Sequence, residues 1–340
     1  MRKYDFGQGH PFRGDRFPKY ISLLKEKGII SREGVNLVKP KPARNDDLLL
    51  VHSKEYVERV MELASRGGQL SMDTPLSPSV LEAARLIAGS ALKAASLVTE
   101  GGYDVVDAVG GGLHHAGRDY GGGFCVFNDV AICARSLLDR HEQNRVVIFD
   151  TDVHAGNGTM DIFYEDPEIL FISVHQDPKT LYPGTGFTYQ IGRGRGEGYT
   201  VNIPLPPGSG DICIKLILDD LFIPLVEQFN PDVIIRNGGP DAHINDSLGG
   251  LAVTYKGFHT IGLAVREASK KVDAPIINMS CSGYNPDTVT KGMYAILAGI
   301  LKIDMDLEED YYHLEEGKQL EETKKILEEL SNRLAQYWDI

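Results

Sequence analysis

The segment RVVIFDTDVHAGNG, residues 145–158, closes an apolar run with Asp150, Asp152 and His154 at every second position. If the run is a strand, alternation puts all three side chains on one face, where two close carboxylates repel each other unless a positive charge lies among them. Oxygen and imidazole ligands suit a divalent ion, and two Asp with one His leave a fourth position open, as in catalytic rather than structural zinc sites. Asp241 in NGGPDAH supplies the second carboxylate, so the metal set is read as Asp152, His154 and Asp241. Asp150 lies deeper along the strand and is free to accept a hydrogen bond from a histidine, holding its tautomer and charge. Asn157 can do the same for a second histidine, but a neutral amide stabilises an imidazolium less. His114 and His115 in GGGLHHAG would then differ in basicity, as a divided acid/base pair requires.

The elements that must position these residues are short β-branched runs: DVVDAV, RVVIFDT, EILFISV, DVIIRN and APIINMS. Amphipathic stretches such as VLEAARLIAGSALKAASLV and KLILDDLFIPLVEQF lie between them. Strands alternating with helices predict an α/β fold, a mostly parallel sheet with helices on both faces, whose ligands bind beyond the carboxyl ends of the strands. Four strand ends deliver chemistry to that edge: His114 and His115, the Asp150/Asp152/His154 set, Asp241, and Tyr284 in CSGY. Taken singly, each of these except the Asp/His set has an ordinary reading. A histidine pair is usually structural, a loop Asp caps a helix, and a Tyr behind glycine is a packed ring. Their convergence favours a site.

No repeat or linker divides the 340 residues, so residues 1–340 are read as a single domain. An acidic amphipathic C-terminal helix at about 318–338 presents Leu320, Leu327, Leu330, Leu334 and Tyr337 to the body. A hydrophobic share of 42% and a charged share of 24% exclude the disordered and membrane classes, and no apolar run approaches the roughly 18 residues a membrane span needs. The net charge of −13 disfavours nucleic acid as a direct partner. Cys125, Cys133, Cys213 and Cys281 lack Cys-x-x-Cys spacing, and the first residues lack an apolar signal core, so a cytoplasmic location is expected.

Several ordered motifs together resemble the zinc-dependent histone deacetylase family of the arginase/deacetylase superfamily. They are HPFRGDR, GGGLHHAG, GGGFCVFND, FDTDVHAGNGT, SVHQDPKTLYPGTG, GEGYTVNIPLPPG, NGGPDAHINDSLGGLAVT and SCSGY, covering the chain to about residue 290. The resemblance implies the arginase/deacetylase fold and metal ligation by Asp152, His154 and Asp241. It implies catalysis by His114 and His115, with Asp150 and Asn157 as their respective partners, and a Tyr284 hydroxyl that donates to the reacting carbonyl. Gly123, Phe124 and Tyr182 match the walls of an apolar tunnel for an acetyl-lysine side chain. Asp73 matches a rim carboxylate, and Arg16 a residue beside the cavity that handles acetate. The cofactor implied is zinc, or ferrous iron, with a structural potassium ion held partly by Asp150, Asp152, His154 and Ser173. Three departures stand out: Asn157 in place of Asp, Tyr182 in place of the more usual Phe, and CSG in place of an all-glycine run.

The expected reaction is hydrolysis of an acetylated lysine in a protein or peptide, or of an acetylated polyamine or other small amine. His115 is the expected general base. The rivals are an arginase-like ureohydrolase, which needs a second metal and more carboxylates, and a non-catalytic binding protein, which would have lost a ligand, a histidine or the tyrosine.

Overall fold

The computed structural model describes residues 1–309 and 317–340. The expectation of one domain over 1–340 therefore includes residues 310–316, which lie outside the described residues. The described residues hold one sheet of six parallel strands: β1 (Val105–Val109), β2 (Val146–Asp150), β3 (Ile169–Gln176), β4 (Thr200–Leu205), β5 (Val233–Asn237) and β6 (Ile276–Ser280). Their order is β1-β6-β5-β2-β3-β4. The mostly parallel sheet expected from the alternating strands and helices is present.

Five of the strands are the β-branched runs of the sequence; β2, β3, β5 and β6 are sheathed on both faces, while β1, at one edge, is only partly buried. Val146, Ile148, Phe171, Val233, Ile235 and Ile277 point into one apolar layer, filled by the helices Pro78–Glu100 and Asp129–His141. Their neighbours Val147, Phe149, Leu170, Ile172, Ile234 and Ile276 point into the other, filled by helices such as Tyr255–Val272. Strict alternation between two apolar layers is what makes near-continuous hydrophobic strands. The sixth strand, β4, is an edge containing Pro204, a residue that cannot donate to a ladder and is tolerated where only one side is paired. The C-terminal helix runs Gly317–Leu334, ending short of the expected 338, and lies against the second layer through Leu330 and Leu334; in the turn beyond it the Trp338 indole joins the same layer and donates to the Gly198 carbonyl at 2.6 Å.

The loop after β1, which carries His114 and His115, is held from below. Asp129 accepts the backbone N–H groups of Gly112 (3.0 Å) and Leu113 (2.8 Å), while the Asn128 amide donates to the carbonyls of His114 (3.3 Å) and Ala116 (2.9 Å). Buried His52 joins loop to helix: its Nδ1 donates to the Gly117 carbonyl at 2.9 Å and its Nε2 accepts the Asn128 N–H at 3.0 Å. Both contacts fit only a neutral ring.

Burial accordingly lowers the pKa of His52 to about 4, only partly opposed by its hydrogen bond to Gly117. The folded value lies below the unfolded one, so this contribution to stability is complete above pH about 6.5 and is lost as pH falls toward about 4. The loss is roughly 3 kcal/mol at one pKa unit per 1.4 kcal/mol. Urea unfolding of wild type and His52→Asn from neutral pH downward checks this: the difference between the two should shrink by about that amount, and a constant difference would refute it.

Candidate active site

Four adjacent strands, β1, β6, β5 and β2, end at the site, and the order of the sheet reverses between β2 and β5, where a parallel α/β sheet opens a crevice. Asp150 stands at the end of β2, in register with Ser173 of β3 and Asn237 of β5. The strand stops there. Asp152 and His154 thus lie in the following loop, not on a continuing strand face as strict alternation would have it. The loop is wound by its own carboxylates: the Asp152 N–H donates to Asp150 Oδ1 (3.1 Å) and the His154 N–H to Asp152 Oδ1 (2.9 Å).

That winding brings Asp152 and His154 to Asp241, so the three sequence-derived ligands form one buried cluster with ligand atoms within 4.8 Å of one another. His154 Nδ1 is 3.0 Å from Asp152 Oδ1 and 3.3 Å from Asp241 Oδ2. Asp241 Oδ1 accepts the Val153 N–H (3.0 Å), so Asp241 braces the β2 loop and does not cap a helix. Its Oδ2 is buried without any hydrogen bond. An orphaned carboxylate oxygen facing an imidazole and a second carboxylate is what a divalent cation would satisfy.

The charges arrange themselves around His154. Burial would lower its pKa, but its hydrogen bond to Asp152, its 3.3 Å approach to Asp241 and the charges of both outweigh it and raise the value to about 10. Burial and the nearby charge of Asp152 push Asp241 well above the carboxylate range. The same burial would raise Asp152, yet the charges of His114 and His154 hold it low.

His114 and His115 face each other, Nε2 to Nε2, at 3.1 Å. His114 Nδ1 pairs with Asp150 Oδ2 at 2.7 Å, and His115 Nδ1 with Asn157 Oδ1 at 2.7 Å, the partners assigned from the sequence. Burial opposes a charge on both rings. For His114 the charges of Asp150 and Asp152 prevail and raise its pKa to about 9. For His115 burial is reinforced by the charges of His114 and His154, and its pKa falls well below the usual value. One ring is an imidazolium and its neighbour is neutral.

Tyr284 stands across from them, its ring 6.4 Å from that of His154 and 5.6 Å from that of Phe124. Burial and the charges of Asp241 and Asp152 keep its hydroxyl protonated. The CSG loop before it is fixed by Arg16, whose guanidinium donates to the carbonyls of Cys281 (2.7 Å) and Gly283 (2.6 Å). Tyr182, about half exposed, lies edge-on 5.0 Å from the His115 ring. Gly123 lets these rings close in, since a Cβ there would sit 2.6 Å from His115 Cδ2 and 3.0 Å from Tyr182 Cε1 at a φ of +55°. Phe124 has a φ of +67°, held by the Thr74 hydroxyl accepting its N–H (3.0 Å) and the Tyr4 hydroxyl donating to its carbonyl (2.6 Å). The same Thr74 hydroxyl donates to Asp73 at 2.8 Å, which ties the rim carboxylate to the wall. Ser173 lies beside Asp150, its hydroxyl 2.8 Å from His175 Nδ1.

The main residue that sequence reasoning missed is Arg236. Fully buried on β5, it donates to Thr151 between the two aspartates (2.5 Å), to Gly238 on the way to Asp241 (2.5 Å), and to Ser280 on the way to Tyr284 (3.1 Å). Burial lowers its pKa to about 10, with Asp150, Asp152 and Asp241 opposing, so it stays cationic. An arginine inside the run DVIIRN was the available signal.

A hydrolytic site at the carboxyl edge of a parallel sheet, with paired histidines, a tyrosine and a metal-competent Asp–His–Asp set, defines a class of amide hydrolases. The histone deacetylase domain matches residues 10–300. A probable deacetylase of Archaeoglobus fulgidus is 38% identical over 87% of this chain and 84% of its own length. The acetoin utilization protein AcuC of Staphylococcus aureus is 33% identical over 84% of this chain and 75% of that protein. The crystal structure of the HDA15 HD domain superposes with a TM-score of 0.86 at 25% identity, covering 99% of this chain and 95% of that one. The chain belongs to the histone deacetylase family, whose members are hydrolytic deacetylases.

Because His154 holds a proton up to about pH 10, a divalent ion must displace it. Binding of zinc to metal-free protein should release at least one proton, and affinity should rise about tenfold per pH unit between about pH 6 and 8. Calorimetry in buffers of different ionisation enthalpy measures the proton count; a count of zero would contradict the charge arrangement.

Proposed function

We propose that this protein is a metal-dependent deacetylase acting on an acetylated lysine side chain of a protein or peptide, releasing acetate and the free amine. The observation that carries this reading is the orphaned Asp241 oxygen in an Asp–His–Asp cluster beside two facing histidines, one paired with a carboxylate and the other with an amide. Asp152, His154 and Asp241 would hold zinc, or ferrous iron, which supplies a polarised carbonyl and a water of pKa near about 7.

The chain's own residues do the rest. Neutral His115 takes the proton of the attacking water as general base. The departing amine receives a proton from His115 or from His114, whose charge Asp150 sustains. Tyr284 donates to the oxyanion of the tetrahedral intermediate. Arg16 keeps Tyr284 in place by gripping its loop, and it flanks the route for acetate. Gly123, Phe124 and Tyr182 line a slim entry that favours an unbranched alkyl chain, burying each methylene for about 0.8 kcal/mol. Asp73 accepts backbone amide protons of a peptide or attracts a cationic amine. Ser173, with the Asp150, Asp152 and His154 segment, would hold a potassium ion, since donation of its hydroxyl proton to His175 leaves its lone pairs for a cation.

The alternative substrate is an acetylated polyamine, which fits the same slim entry and acidic mouth. The arginase-like reading is disfavoured because, among the described residues, a single cluster of three potential ligands is found. The binding-protein reading is disfavoured because every chemical group is present. Cys125, Cys133 and Cys281 are buried free thiols, which accords with a cytoplasmic setting, and no described helix is long and apolar enough to cross a membrane.

Metal-defined protein assayed on acetyl-lysine peptides, acetylpolyamines and longer acyl-lysines tests the proposal. Turnover of an acetyl substrate with one ion per chain is expected; uniform inactivity with the ion bound, or two tightly held manganese ions, would sink it. Tyr284→Phe should lower kcat by about a hundred- to a thousandfold with metal content unchanged, and near-full turnover would remove its role.

A further inference from the structure

We propose that Tyr120 and Asp161 are positioning residues that set the tautomer of His115, by orienting the Asn157 amide so that the ring must carry its proton on Nδ1. The role of His115 as base is taken from the proposed function.

Three hydrogen bonds run in series from the surface to the site. Tyr120 Oη lies 2.5 Å from Asp161 Oδ2, Asn157 Nδ2 lies 3.1 Å from Tyr120 Oη, and His115 Nδ1 lies 2.7 Å from Asn157 Oδ1. The direction of each follows from the one before. An ionised aspartate only accepts, so the Tyr120 hydroxyl spends its proton on Asp161 and keeps lone pairs alone for Asn157. Only the NH2 end of the amide can meet a lone pair, so the amide oxygen turns inward. That oxygen only accepts, and His115 Nδ1 must be the donor. Nε2 is left with its lone pair, facing His114 Nε2 at 3.1 Å.

The polarity would not be set by Asn157 alone. An amide has a donor end and an acceptor end of nearly the same shape, and a reversed Asn157 would present its NH2 to His115 Nδ1. The proton would then sit on Nε2, where a base needs its lone pair. Asparagine in place of aspartate creates this ambiguity, and the outer pair removes it. The frame is well built: Asn157 and Asp161 lie one turn apart on the helix Asn157–Phe163, so both face Tyr120. The Gly117 N–H donates to the Tyr120 carbonyl at 3.0 Å, and the ring lies so close to Gly117 that a Cβ there would be 2.3 Å from it. Burial and the bond to Asp161 raise the phenol's pKa, so it keeps its proton.

The test uses Tyr120→Phe, Asp161→Ala and Asp161→Asn. The first two should lower kcat about tenfold with KM and metal content unchanged. Asp161→Asn still offers an oxygen to the phenol and should retain most of the wild-type kcat. Nitrogen-15 NMR of metal-free protein should show His115 as the Nδ1–H form in wild type and as a mixture in Tyr120→Phe. A wild-type spectrum in Tyr120→Phe and Asp161→Ala would overturn the proposal, as would equal losses in Asp161→Asn and Asp161→Ala, which would make charge rather than direction decisive. If His115→Ala kept full turnover, the general-base reading would fail instead, and the NMR result would still decide the tautomer question alone.

Discussion

Asp152 and Asp241 come from the ends of different strands and are brought together out of water, where their mutual repulsion must be balanced by positive charge or relieved by a proton. The surroundings supply positive charge in layers. His154 lies between the two carboxylates, His114 is held as an imidazolium by Asp150, and Arg236 lies beneath the loops that carry them all. Remove Asp150 together with these two carboxylates, and neither the charge on His114 nor the burial of an arginine in mid-sheet would have a reason.

From that balance follows the division between the two histidines. They are chemically identical and 3.1 Å apart, so their opposite charge states must come from what they touch: a carboxylate for one, an amide for the other. Two adjacent imidazolium ions would repel, and the first to hold a proton keeps the second neutral. The acid/base pair is thus a consequence of one carboxylate placed on one side.

Much of this was legible in the sequence because it is carried by alternation and by strand ends. Five strands and the Asp–His–Asp set follow from apolar runs and from the residues just beyond them, while the pairing of each histidine with its own partner came from the family resemblance. β4 escaped because Pro204 and the flanking glycines make an edge strand look like a turn. The path of Asp152 and His154 escaped because the strand ends at Asp150 and side-chain-to-backbone hydrogen bonds replace the ladder. Apart from the bond of Arg236 to Gly238, the contacts of Arg236, His52, Asn128 and Asp129 described above reach 12 to 85 residues along the chain, which no local pattern encodes.

The buried guanidinium of Arg236 has a further bearing on the metal site proposed for this chain. Its charge is part of the chain, and its bonds to Thr151, Gly238 and Ser280 tie the ends of three neighbouring strands together. A cavity clamped in this way owes its shape to a fixed cation of the protein and not to an ion taken from solution.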